Sequence, residues 1–242
     1  MHASNILTRI LNLCMTGLHA KRATALLRIT SALLRGGISS LTAIALYLES
    51  ATTLKHRIKS VDRLLGNGGL YLAREALYRS VARHWLQGLS QLLVVVDWSD
   101  LSLDQRWQLL RASAVVEGRS VTLYEEVHPQ KLLANAEVHR RFMKRLAEVL
   151  PERIKPIIMT DAGFHAPWFK LAVGQGREFV GRIRGKNRTQ WGGNKEWIPA
   201  RDLYDRAAGP PPCRTILPAF HTASEGKIIP YWRKGKFSGQ RL

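Results

Sequence analysis

Along the first 88 residues apolar positions return every three or four residues: Leu26, Leu27, Ile29 and Leu33, then Leu41, Ile44, Ala45 and Leu48. That spacing lines them along one side of a helix and predicts an all-helical region over 1–88. Gly36-Gly37 and Gly66-Asn67-Gly68-Gly69 divide the pattern into separate helices. Between those breaks, Leu54, Ile58, Val61 and Leu65 share one face and leave Lys55, Arg57, Lys59 and Arg63 on the others. A basic-sided helix in a small helical region suits contact with DNA; the plainer alternative is a solvated face.

From about Gln91 the pattern alternates between strand and helix. Leu92 to Val96 is apolar on both faces, as a strand inside a sheet is, and it runs straight into Asp97. An unpaired anion inside a sheet is costly, so Asp97 is expected at the strand's mouth. Arg111 to Val116 and Arg119 to Glu125 predict two further strands, with Glu117-Gly118 between them as a two-residue hairpin turn. Val138, Phe142, Leu146, Val149 and Leu150 give helical spacing over 135–150, stopped by Pro151. Pro156 to Thr160 repeats the apolar strand that meets a carboxylate, here Asp161; a short helix with Trp168, Phe169 and Leu171 follows, then a strand over Glu178 to Ile183. The order β-β-β-α-β-α-β matches a ribonuclease-H-like core, a mixed sheet with its site at the ends of the first and fourth strands. The expected fold is therefore α/β: an N-terminal all-α DNA-binding region over 1–88, a partial ribonuclease-H-like catalytic core over 89–185, the start of a β-rich insertion over 186–208, and an irregular tail over 209–242.

Charge sharpens this picture. The 242 residues carry 37 Lys and Arg against 18 Asp and Glu, a formal +19, which points to a polyanion partner. Nucleic acid fits better than membrane, because no apolar run approaches the ~20 residues of a spanning helix. Ile6, Leu7, Ile10, Leu11 and Leu13 resemble a signal peptide's apolar stretch, but Arg9 interrupts them, and an amphipathic helix is the better reading. Cys14 and Cys213 lie far apart with no partner at metal-ligand spacing, so the chain reads as intracellular and reduced, with both cysteines as structural filler. A cytoplasmic, nucleoid-associated protein without membrane attachment is expected.

Two acids at matching strand ends in so basic a chain suggest a Mg2+ or Mn2+ site for phosphodiester chemistry, with Asp97 and Asp161 as ligands. Asp100 has the plainer role of capping the segment after it. His84, His128, His139 and His165 are scattered; His165 follows Asp161 closely, yet an exposed or satisfied histidine is the default. Trp98 should pack on the sheet face opposite Asp97. Arg106, Arg111, Arg119, Arg182 and Arg184 lie in or near the core, and some should meet phosphates. Gly174-Gln-Gly-Arg177 is too short for a nucleotide loop.

Several stretches carry a resemblance: Ser60-Val-Asp-Arg-Leu-Leu-Gly-Asn67, Val96-Asp-Trp-Ser-Asp-Leu101, Leu110-Arg-Ala-Ser-Ala114, Gly118-Arg-Ser-Val-Thr-Leu-Tyr-Glu125, Thr160-Asp-Ala-Gly-Phe164, Pro167-Trp168 and Arg182-Ile-Arg-Gly185. In this order, over roughly residues 20 to 205, they resemble the bacterial cut-and-paste transposases of insertion-sequence family four. The resemblance implies a DDE transposase in which Asp97 and Asp161 are the first two catalytic acids, magnesium or manganese is the cofactor, and the partners are double-stranded terminal inverted repeats and target DNA, handled by a homodimer. It also implies strand cleavage by a metal-activated water, a hairpin intermediate and joining of 3′ ends to the target. The family's third acid is a glutamate on a later helix, in a motif of tyrosine, arginine, glutamate and lysine. Glu178, Glu196 and Glu225 do not match it, so a third catalytic glutamate is not expected in this chain, which reads as C-terminally truncated. The alternative expectation is a non-catalytic DNA-binding remnant that occupies transposon ends or inhibits a full-length transposase.

Overall fold

A computed structural model describes residues 3–15, 17–116, 118–182, 188–190, 197–199 and 202. The chain is a mixed α/β protein. Five helices come first: α1 (Ala3–Cys14), α2 (Ala20–Gly36), α3 (Leu41–Leu46), α4 (Leu54–Leu65) and α5 (Gly68–Trp85). Then follow β1 (Gln91–Asp100), β2 (Trp107–Val116), β3 (Arg119–Pro129), α6 (Ala136–Val149), β4 (Lys155–Thr160), α7 (Ala166–Gly174) and β5 (Glu178–Gly181). A short pair, β6 (Arg188–Gln190) and β7 (Trp197–Pro199), is antiparallel, with Thr189 opposite Ile198. No described helix is long and apolar enough to cross a membrane.

The helix boundaries follow their caps. Ser40 Oγ accepts from Ala43 N–H at 3.2 Å to start α3, and Asn67 Oδ1 accepts from Leu70 N–H at 3.0 Å to start α5. Gly37 closes α2 in a left-handed conformation, φ 66°, from which its N–H reaches Leu33 O. Helices α2, α3 and α4 share a core of Ile29, Ala32, Ile44, Ala45, Leu48, Val61 and Leu64. On α4 this core differs from the expected face. Leu64 is 6 % exposed, whereas Leu65 is 68 % exposed. Ile58, Val61 and Leu64 descend in steps of three toward α2 and α3, and Leu65, the last residue of the helix, falls outside that line.

Strands β1 to β5 form one mixed sheet in the order β3-β2-β1-β4-β5. Strands β2 and β3 meet across two residues, a connection only antiparallel neighbours permit, and Gly118 there takes φ 76°. Strands β4 and β5 are parallel, with Ile157 beside Glu178 and Thr160 beside Gly181. β1 holds a middle place, and Leu92, Val94 and Val96 are buried along it.

The described residues form two compact units. One comprises those of 1–92, 111–126 and 141–155; the other comprises those of 93–110, 127–140 and 156 onward. Within the first, Tyr124 is buried against the edge of Tyr78 and against Phe142, ring centroids 5.3 Å away in both cases. Its hydroxyl donates to Glu126 Oε1 at 2.7 Å, and Arg145 Nη1 donates to the same oxygen at 2.8 Å. Arg145 Nε also lies 3.3 Å from Glu75 of α5. Burial first, and then the Glu126 bond and charge, hold the Tyr124 hydroxyl above its ordinary range, so it remains a donor. Within the second unit, Phe169 of α7 packs against Phe179 of β5, the rings tilted and their centroids 4.7 Å apart. The Phe169 ring also lies where a Cβ on Gly181 would fall.

Arg145→Met should therefore lower unfolding free energy by about 3 kcal/mol, because Glu126, only 6 % exposed, would keep its charge without the arginine. Adding Glu126→Gln should recover part of that loss. Urea denaturation of the single and double variants measures both effects.

Candidate active site

Asp97 lies within β1 rather than just past it, because the strand runs on to Asp100 instead of ending at Val96. Two side chains prolong it: Gln108 Nε2 donates to Asp100 Oδ1 at 2.7 Å and Gln105 Nε2 to Asp100 Oδ2 at 3.2 Å. Asp100 thus ties the β1–β2 connection, and the expected cap role gives way because a strand, not a helix, comes next. Strand alternation turns Val94, Val96 and half-buried Trp98 to one face and Asp97 to the other, where it is exposed.

Asp161 is the first residue past β4. Its Oδ1 accepts from Gly163 N–H at 2.8 Å, a local turn that fixes the carboxylate over its own loop. A Cβ on residue 163 would stand 3.0 Å from that oxygen, so glycine leaves the carboxylate its room.

Because β1 and β4 are neighbours in the sheet, the two acids come within electrostatic reach. The Asp97 carboxyl, exposed yet partly desolvated by its surroundings, is held above its usual range first by that desolvation and then by the charge of Asp161, with the Trp98 N–H opposing. Two repelling carboxylates form the arrangement that a divalent cation relieves. Mg2+ commonly takes one or two carboxylates, several waters and a substrate phosphate, so Asp97 and Asp161 fit a hydrated ion. Among the described residues no group of three or more His, Cys, Asp and Glu is placed to hold a metal. Glu178 pairs with Ile157, three rungs from the Thr160–Gly181 pair that precedes Asp161, so it lies roughly 10 Å back along the sheet. Glu196 and Glu225 lie outside the described residues.

An aromatic bed adjoins the two acids in sequence. Trp98, next to Asp97, donates from Nε1 to His139 Nε2 at 3.0 Å. His139 in turn stacks on Phe164, from the Asp161 loop, at 5.2 Å and meets the edge of Trp168 at 5.1 Å. Accepting at Nε2 puts the proton of neutral His139 on Nδ1. Burial, then the nearby His128 and His165, push its pKa down to about 4. Sequence reasoning passed over His139 as one scattered histidine. The available signal was its position three residues before Phe142, inside the apolar face of α6. His165 is exposed at the N-terminal boundary of α7.

The basic residues expected to contact DNA are distributed over the described chain. Lys55, Lys59 and Arg63 are exposed on α4. Arg57 is half-buried, and its Nη1 donates to Leu48 O at 3.2 Å and Leu46 O at 3.4 Å. Arg119 is exposed at the start of β3. Arg182 is exposed, and its backbone N–H donates to Thr160 O at 3.2 Å, which seats it beside the strand that delivers Asp161. Arg184 lies outside the described residues. Arg106 pairs with Asp104, and Arg111 with Glu125 at 2.8 Å.

Two solution measurements follow. The unfolded chain takes up a proton on His139 below about pH 6.5 while the folded one resists until about 4. Stability should therefore be full above about pH 6.5 and fall between there and about 4, and His139→Gln should flatten that slope in urea titrations. For Asp97 the raised carboxyl means that the charged form costs stability above its folded pKa, a cost that vanishes below the ordinary carboxylate range. In metal-free buffer near neutral pH, Asp97→Asn should melt higher than the parent, the gap closing in acid, and added Mg2+ should stabilise only the parent.

No family model matches this chain, and neither a curated protein nor a solved structure matches it.

Proposed function

We propose that the chain is a DNA transposase of the insertion-sequence family four type. In this reading a helical DNA-binding region over 1–88 precedes a ribonuclease-H-like catalytic core over 89–185, and the protein works in the bacterial cytoplasm on nucleoid DNA as a homodimer. One observation carries the reading: two carboxylates at neighbouring strand ends, Asp97 near the end of β1 and Asp161 just past the end of the adjacent β4. The formal +19 charge and the place of β1 beside β4 support it.

Asp97 and Asp161 would hold Mg2+ or Mn2+, and the bound ions supply positive charge to the scissile phosphate and acidify an attacking water. The chain's own residues prepare for that. The Gly163 N–H fixes Asp161, and His139 fixes Trp98 and with it the strand end that carries Asp97. Arg182, at the β5 exit beside Thr160, is available to hold the DNA backbone.

The test is strand cleavage of a labelled duplex bearing the inverted repeats that flank the reading frame, with Mg2+ or Mn2+. Cleavage that disappears in Asp97→Ala and in Asp161→Ala is expected. Salt-sensitive binding without cleavage under either metal would replace this reading with that of a non-catalytic binder of transposon ends.

A further inference from the structure

The helical unit contains a second feature, independent of the two aspartates. A recess of about 380 Å³ opens between α2, the α3–α4 connection and one side of α4. Arg28, Arg57, Arg63 and His56 line it together with the hydroxyls of Ser50, Thr52 and Ser60, and none of its lining residues is acidic.

Two of its guanidinium groups are fixed before any ligand arrives. Arg57 Nη1 is tied to the carbonyls of Leu46 and Leu48, and Arg28 Nη2 donates to Glu49 O at 2.9 Å. A guanidinium has five N–H donors, so each anchored arginine retains others for an acceptor. Arg57 Nε is buried and has no hydrogen-bond partner. The carboxylate of Glu49 does not compensate this charge, since it pairs with Arg35. The α4 N-terminus adds to the field, because Thr53 caps it without a side-chain hydrogen bond.

We propose that this recess is a phosphate-binding pocket and that its ligand is a phosphodiester of a nucleic-acid backbone. Fixed guanidinium forks, hydroxyl donors and the lack of acidic lining suit a tetrahedral oxyanion. A continuous backbone, rather than a free phosphate, is favoured because exposed Lys55 and Lys59, which do not line the recess, add positive charge along α4 outside it, where successive phosphates would lie. The nucleic-acid source rests on the DNA-handling function proposed above; the phosphate chemistry of the pocket does not.

Arg57→Ala and Arg28→Ala would also cut structural tethers, so the informative variants are Arg63→Gln and Ser60→Glu, both at exposed positions on α4. Lys131→Gln, exposed on the other unit, is the control for losing one positive charge. Fluorescence anisotropy of a labelled duplex with the full chain, across a salt series, should show Arg63→Gln and Ser60→Glu weakening binding about tenfold, and Arg63→Gln lowering the salt slope by about one, with Lys131→Gln close to the parent. Cooperative thermal melts of each variant verify that it folds. A parallel melt in inorganic phosphate, against chloride at equal ionic strength, separates the sources. Phosphate stabilisation abolished by Ser60→Glu, with duplex affinity unchanged, would overturn the nucleic-acid assignment. Equal duplex affinity and equal phosphate response in parent and variants would overturn the pocket and leave the DNA-handling function standing. No duplex binding by the parent would overturn that function and the backbone assignment together.

Discussion

Everything at the candidate site depends on a mismatch between two dry strands and the charges at their ends. β1 buries Leu92, Val94 and Val96 in the middle of the sheet, and β4 beside it buries Ile158 and Thr160. Neither can take a carboxylate along its buried positions without a large desolvation cost, so each presents its acid where it reaches water. Adjacency in the sheet then makes the two exits neighbours. Asp97 is therefore held in its charged form at a cost, from partial desolvation first and then from repulsion by Asp161. Such local frustration is usual where binding, rather than folding, has set the residues.

The positive charge of the chain serves more than one purpose. Arg79 donates to Glu148 O and Arg153 to Leu86 O, at the ends of α6 and α5, and Arg28 and Arg57 do the same in the α3–α4 connection. Helix C-termini leave carbonyls without intrahelical partners, and long arginine side chains satisfy them while complementing the helix dipole. Part of the formal +19 is thereby committed to holding helices together. Lys55, Lys59 and Arg63 belong to the remainder, which reaches solvent, and a net charge cannot distinguish the two groups.

That distinction marks how far the sequence could be read. Uninterrupted aliphatic runs made β1 and β4 legible, and Glu117-Gly118 made the β2–β3 hairpin legible, because those signals are local. The length of β1 was not, since its last residues are polar and owe their place to Gln105 and Gln108, which come from beyond the strand. Leu65 misled for the same kind of reason: period alone puts it on the apolar face, while the positions of α2 and α3 select Leu64. The pairing of Asp97 with Asp161 was expected from the order of elements and is matched by the adjacency of β1 and β4. The underlying His139 contacts join residues distant in the chain, with no spacing to announce them.

The missing side chain at Gly181 has a wider reach than its size implies. Phe169 occupies the space a Cβ would need, so α7 approaches β5 as closely as ring against backbone allows. The start of α7 is also the end of the loop that carries Asp161, and that loop is short. A bulkier residue at the far edge of the sheet would act as a wedge under one end of a lever, and the displaced end would carry the Asp161 carboxylate.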